Sequence, residues 1–205
     1  MVHKTGQKMS WRLSVLLCLV IGLQTSIRAE TMDASETATF AGGCFWCMEH
    51  AFDEVEGIIS TTSGYTDGHI ENPTYEAVST GRTGHAEAVR VLFNPTRVSY
   101  ETLLQVYWRN IDPTVRNRQF CDIGTQYRAA IYYHTASQKR LAFASKEQLM
   151  RNKPFHEPIV TEIKQVSRFY PAEAHHQDYH QKNPIQYRVY RFGCGRDQRL
   201  AMLWK

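Results

Sequence analysis

Apolar and polar positions alternate along the chain in a way that divides it into short elements. "TATFAGG", residues 37–43, reads as a strand ending on two glycines, and "CFWCMEHAFDEVEG", residues 44–57, reads as a helix closed by Gly57. "IISTTSGY" (58–65) is a second strand, and "HAEAVRVLFN" (85–94) is a third with a period of two. Ser99 stands at a cap position before "YETLLQVYWRNI" (100–111), whose Leu103, Leu104, Tyr107, Trp108 and Ile111 recur at helical spacing. "QYRAAIYYH" (126–134) is a fourth strand. The order βαββαβ predicts an α+β fold, a ferredoxin-like sandwich with helices on one face of a mixed sheet.

Beyond that unit the pattern gives an amphipathic helix over about 137–151, a strand "IVTEIKQV" (159–166) and a helical stretch "AEAHHQDYHQKN" (172–183). "HHQDYH" within it reads as a solvated helix face with one histidine against Tyr179. The C-terminal tail holds Cys194 between two glycines, which predicts a mobile backbone around that sulfur. Three long links, 65–84, 112–126 and 167–185, are rich in Tyr, Gly, Asp, Pro and His, and loops of this length on a compact sheet are where function is expected.

The first 29 residues follow another rule. Lys4, Lys8 and Arg12 precede the apolar run "LSVLLCLVIGL" and then "QTSIRA", with Ala29 as a cleavage position: the pattern of a signal peptide. The apolar run is too short to span a bilayer, which takes about 20 residues. The expected organisation is therefore a leader (1–29), a polar lead-in (30–36) and one catalytic domain (37–205). Export, into a bacterial periplasm, is the expected destination, with no membrane association after cleavage. Losing the leader removes four basic groups and no acid, leaving 20 basic against 20 acidic groups. The mature chain then has no electrostatic case for a nucleic-acid partner.

Composition changes the picture again through cysteine. Cys44, Cys47, Cys121 and Cys194 remain in a chain large enough to hold a core without disulfides, so they point to redox chemistry or to one or two ordinary bridges. Cys44 falls at a strand-to-helix turn, where free N–H groups and the helix dipole favour a thiolate. Phe45 and Trp46 supply an apolar wall suited to a methyl group. Cys47 lies one helical turn on, at thioredoxin-type CxxC spacing. The same spacing opens zinc sites, which would draw on Cys121, Cys194, His175, His176 or His180, but no second CxxC follows and no metal is expected. Glu87 is in strand phase with Val89, Val91 and Phe93; a carboxyl on that face either stays protonated by burial and serves as a proton donor or reaches water past the sheet edge. Tyr75, Tyr127 and Asp122 are candidate partners for a bound oxygen or amide, with core packing and turn formation as their ordinary readings.

Taken together, "GGCFWCMEHAF", "GYTDGHIENPTYEAVSTGRTGHAEAVRVLFNP", "FCDIGTQYRAAIYY" and "FYPAEAHHQDYHQKNP" resemble the A-type peptide methionine sulfoxide reductases over about residues 37–192. The resemblance implies a cofactor-free thiol enzyme that reduces the S epimer of methionine sulfoxide, free or in proteins. It implies Cys44 as nucleophile, Phe45 and Trp46 as the methyl pocket, Glu87 as acid, Tyr75 and Tyr127 as oxygen partners, and Asp122 as the acid of the "DIGTQYR" stretch. It further implies a Cys44 sulfenic acid, an intramolecular disulfide and recycling by a thioredoxin-like reductant. The resolving thiol is expected to be Cys194, with Cys47, where many members carry glycine, as second choice and Cys121 third. A monomer is expected. The competing reading is a general thiol–disulfide oxidoreductase using Cys44 and Cys47 as its pair.

Overall fold

The computed structural model of the chain describes residues 1–3 and 34–205. The expected leader and the first part of the lead-in fall on residues 4–33, outside the described residues. The elements are β1 (Glu36–Gly42), α1 (Phe45–Asp53), β2 (Ile58–Thr66), α2 (Tyr75–Ser79), β3 (Ala86–Phe93) and α3 (Tyr100–Arg109). They continue with β4 (Arg118–Gln119), β5 (Asp122–Ile123), β6 (Ala129–Tyr133), α4 (Ala136–Asn152), β7 (Glu162–Gln165) and β8 (Tyr170–Pro171), and close with α5 (Tyr179–Lys182), α6 (Pro184–Gly193) and α7 (Arg196–Leu203).

Six strands form one sheet in the order β7-β6-β1-β3-β2-β8, in which β6 and β7 pair parallel and the other neighbours antiparallel. Its inner four, β6-β1-β3-β2, have the predicted ferredoxin-like arrangement, and β7 makes the sheet mixed. The core lies on the helical face: Phe40, Val89, Val91 and Phe93 from the strands pack with Phe52 of α1 and Leu103, Leu104 and Tyr107 of α3. Phe40 stacks on Phe52 and Tyr107 at ring separations of 4.9 and 5.2 Å, and the Tyr107 hydroxyl donates to the Ala41 carbonyl at 2.9 Å, so the one polar atom of that ring is satisfied.

Ser99 caps α3 as the sequence predicts, its Oγ accepting from the Thr102 N–H at 3.1 Å. Ser99→Ala should lower the unfolding free energy by about 1 kcal/mol in a urea titration and leave activity untouched, since α3 contributes nothing to the cavity described below.

The sequence reading needs correction in six places. The first helix ends at Asp53 rather than Gly57: Glu54 caps it, the Val55 N–H turns back to the Phe52 carbonyl, and Gly57 takes φ +98° in the turn into β2. Link 65–84 contains α2, whose cap Thr74 accepts from Ala77 N–H, and link 112–126 contains the small β4–β5 ribbon. The strand of 159–166 is only Glu162–Gln165. The stretch 172–183 is no continuous solvated helix: Gln177 turns extended and Asp178 sits at φ +54°, leaving a 3-10 turn (Ala174–His176) and the short α5. The tail is not a mobile strap. Cys194 ends α6, Gly195 turns at φ +68°, and α7 follows at once.

Candidate active site

β1 runs antiparallel to β3 with Phe40 opposite Val89, so its last residues run towards the start of β3, where Glu87 lies. β2 brings Tyr65 opposite Glu87, and the Tyr127 turn leads into β6 beside the end of β1. One end of the sheet thus gathers residues from four strands. At that end Gly43 turns the chain at φ +82°, where a Cβ would lie 2.4 Å from Gln119 Cβ; a larger residue would have to move β4. The turn delivers Cys44 as the N-cap of α1.

Glu87 is 2% exposed and faces the helical side, which decides the strand-phase question in favour of burial. Its Oε2 accepts the Phe45 N–H at 3.0 Å. Burial pushes its carboxyl up to about 8, against the opposing pull of that hydrogen bond, with Asp122 and Cys47 adding repulsion. The carboxyl therefore carries its proton at neutral pH. Cys44, Phe45, Trp46 and Glu87 line one small cavity, of about 50 Å³. Tyr75, Asp122, Tyr127 and Tyr190 complete its walls. The seven residues that sequence reasoning grouped around Cys44, Glu87 and the oxygen partners all meet there, joined by Tyr190, which it missed.

A family profile described as "Peptide methionine sulfoxide reductase" matches residues 36–205. The chain belongs to that family. Its relatives place it on the A-type branch: a Bacillus licheniformis peptide methionine sulfoxide reductase is 53% identical over 169 residues, covering 82% of this chain and 93% of the relative. A Methanosarcina acetivorans one is 54% identical over 158 residues, covering 77% and 84%. Among solved structures, reduced Mxr1 of Saccharomyces cerevisiae superposes with a TM-score of 0.70 at 31% identity, covering 74% of this chain and 87% of that one. Methionine sulfoxide reductase A of Corynebacterium diphtheriae gives 0.66 at 34%, covering 74% and 76%.

In this reductase, a second layer from residues 173–180 holds the cavity walls. Glu173 accepts from the Tyr65 hydroxyl at 2.9 Å and from the Tyr75 N–H at 2.8 Å, fixing where α2 begins. Trp46 donates its indole N–H to His176 Nδ1 at 3.2 Å and stacks on Tyr179 at 3.7 Å. His176 is 4% exposed, so the histidine of "HHQDYH" that packs does so against Trp46, Phe45 and Tyr75 rather than Tyr179. Burial lowers its basicity and keeps Nδ1 an acceptor. Polar residues every few positions looked like a solvated face, yet Gln177 is spent on the Ser63 backbone, the Asp178 N–H on Glu49, and His180 lies 3.6 Å from Asp53, while His175 alone faces water.

The thiols of the reductase divide into two pairs. Cys121 and Cys194 are joined in a disulfide, while Cys44 and Cys47 are free, buried and packed with Tyr187. That bond removes both sulfurs from the set that the zinc reading required. The tail correction also removes the reason for preferring Cys194 as the thiol that swings to Cys44: its sulfur is held by Cys121 at the end of a helix. The charge on the free pair differs from expectation as well. Burial pushes Cys44 up, reinforced by its hydrogen bond to Cys47 and by repulsion from Cys47 and Glu87, and the first N–H of α1 serves Glu87 rather than the sulfur. Cys47 is brought down to about 6 chiefly by the hydrogen bond from Cys44, against burial and with help from Arg196, Arg191 and Tyr187. The two thiols share one proton near neutrality, with the negative charge on Cys47.

Proposed function

We propose that this chain reduces the S epimer of methionine sulfoxide, free or in proteins, with Cys44 as nucleophile and Glu87 as acid. One observation carries the reading: a thiol and a protonated carboxyl share a single small cavity with aromatic walls. Phe45 and Trp46 give the substrate methyl an apolar seat, while the raised hydroxyls of Tyr75 and Tyr127 remain donors to the sulfoxide oxygen. Cys47 takes the Cys44 proton as the sulfur attacks; Glu87 gives its own to the oxygen. The S–O bond to substrate breaks, methionine leaves and Cys44 retains the oxygen as a sulfenic acid. Asp122, accepting from the Tyr190 hydroxyl at 2.5 Å, orients that ring at the cavity wall rather than meeting the oxygen itself.

Cys47 then closes a Cys44–Cys47 disulfide, and Cys194 enters only after its bond to Cys121 is reduced. A thioredoxin-like dithiol recycles the enzyme. Supporting this, Mxr1 of Saccharomyces cerevisiae in complex with Trx2 has the same fold, with a TM-score of 0.51 at 22% identity, covering 76% of this chain and 91% of that one. Export by residues 1–29 to the periplasm, where the chain would act as a monomer, is part of the proposal and would require a dedicated reducing partner there.

Racemic methionine sulfoxide with a dithiol reductant tests the activity: the S epimer should disappear and the R epimer remain. Equal loss of both epimers, or insulin reduction at a comparable rate, would instead support the thiol–disulfide oxidoreductase reading.

A further inference from the structure

Arg196 is a buried cation whose charge nothing yet assigned explains. It is 1% exposed, at the start of α7, with its guanidinium carbon over the Phe120 ring at 4.5 Å. Its Nη2 donates to the carbonyls of Asn110 at 2.6 Å and Gly42 at 3.3 Å and lies 3.2 Å from Met48 Sδ; its Nε is buried without a partner. Among the described residues no carboxylate forms an ion pair with it; Asp122 feels its charge but spends its carboxylate on the Tyr190 hydroxyl. Arg191 differs: Asp197 neutralises it through two oxygens, and its Nη1 donates to the Tyr187 hydroxyl at 3.1 Å. A guanidinium held out of water by neutral acceptors alone is unfavourable unless an anion lies near it. Two of its three partners bracket the turn and first coil of α1: Gly42 precedes Cys44, and Met48 follows Cys47.

We propose that Arg196 is a positioning residue whose counter-ion is the thiolate of Cys47, holding that sulfur ready to capture the Cys44 sulfenic acid. Tyr187 assists, because its oxygen already accepts from Arg191 and its own hydrogen is left for the Cys47 sulfur. The other titratable groups facing Cys47 are Cys44, which donates to it, Glu87, which repels it, and Arg191, which adds a weaker attraction with its charge shared by Asp197. In the capture step Cys47 gives up the proton it took from Cys44 and its thiolate attacks the Cys44 sulfur: an S–S bond forms, the Cys44 S–O bond breaks and the oxygen leaves as water with that proton. Cys47 is oxidised and the sulfenic sulfur reduced, with no outside electron donor. The inference rests on Cys47 being the resolving thiol.

The test measures disulfide closure after a single turnover, as loss of free thiol, across pH 5–9 in the full-length enzyme. Arg196→Gln should move the midpoint of the closure rate up by about one pH unit, slowing closure about tenfold below the midpoint, and keep the high-pH plateau. Arg196→Lys, which keeps the charge, should restore the wild-type midpoint. Tyr187→Phe, on α6, should shift it the same way by less, and serves if Arg196→Gln does not fold. An unmoved midpoint in Arg196→Gln, or in Tyr187→Phe where only that variant folds, overturns the proposal; so does a lower plateau with no shift. Peptide mapping of the wild-type product separates the two claims: a Cys44–Cys194 bond there defeats the role of Cys47, whatever Arg196 does.

Discussion

Glu87→Gln is expected to slow the first release of methionine by a factor of about 10²–10⁴ and to make the folded chain more stable at pH 9. The amide has the size of a neutral carboxyl and keeps an oxygen for the Phe45 N–H, so the walls of the cavity stay in place. What it lacks is a proton to give, and the sulfoxide oxygen must then leave without one. The wild-type carboxyl holds its proton up to about 8, above the usual 4.5. Between those pH values the folded chain binds a proton that the unfolded chain has released, so stability falls as pH rises through that window and the loss is complete above 8. Ionising a carboxyl this deeply buried is worth several kcal/mol, a loss the amide does not suffer.

The same numbers give the wild type a bell-shaped first turnover. Its acid limb should fall near 6, where the thiol pair takes up its second proton, and its alkaline limb near 8, where Glu87 ionises. Glu87→Gln should lose the alkaline limb. Rapid-quench measurement of methionine against pH, beside thermal melts at pH 5 and 9, checks both; a variant with an unchanged rate and profile would take Glu87 out of the acid role.

How much of this was readable in the residues depends on which interactions are local. The strand phase of Glu87 against Val89, Val91 and Phe93 and the Ser99 cap are set within a few positions, and both were legible. So was the turn at Cys44, because its two glycines mark it. Tyr190 and Arg196 were not: each reaches the site from α6 or α7, helices whose apolar pattern is weak because Ile185, Val189 and Phe192 lie exposed on the outer face. Nothing local joins Tyr190 to Asp122, 68 positions away, or Arg196 to Gly42, 154 away. The histidine-rich stretch misled for the opposite reason. Gln177 and the Asp178 N–H are satisfied by buried partners on β2 and α1, and periodicity cannot tell a buried hydrogen bond from water. Cys44 misled more subtly: burial outweighs the helix end that should charge the sulfur, and the first N–H of that end goes to Glu87.

The two cysteine pairs should separate cleanly when each is removed. Cys47→Ser is expected to release about one methionine per enzyme, more slowly than the wild type because Cys44 has lost the group that takes its proton, and then stop, leaving Cys44 as a sulfenic acid trappable by dimedone. The Cys121→Ser and Cys194→Ser double variant should keep turning over with a dithiol reductant, yet be less stable. A bond closing a loop of 73 positions restrains the unfolded chain by about 4 kcal/mol on the chain-entropy estimate. Some of that loss should also reach the substrate: Cys121 adjoins Asp122, and Cys194 ends the helix carrying Tyr190, so the bond ties together the two elements that meet at the Tyr190–Asp122 contact. A raised KM with nearly unchanged kcat is the expected signature of a loosened wall. If the double variant instead halts after one methionine while Cys47→Ser cycles, the resolving thiol is Cys194, and the Cys121 bond must open before every catalytic round.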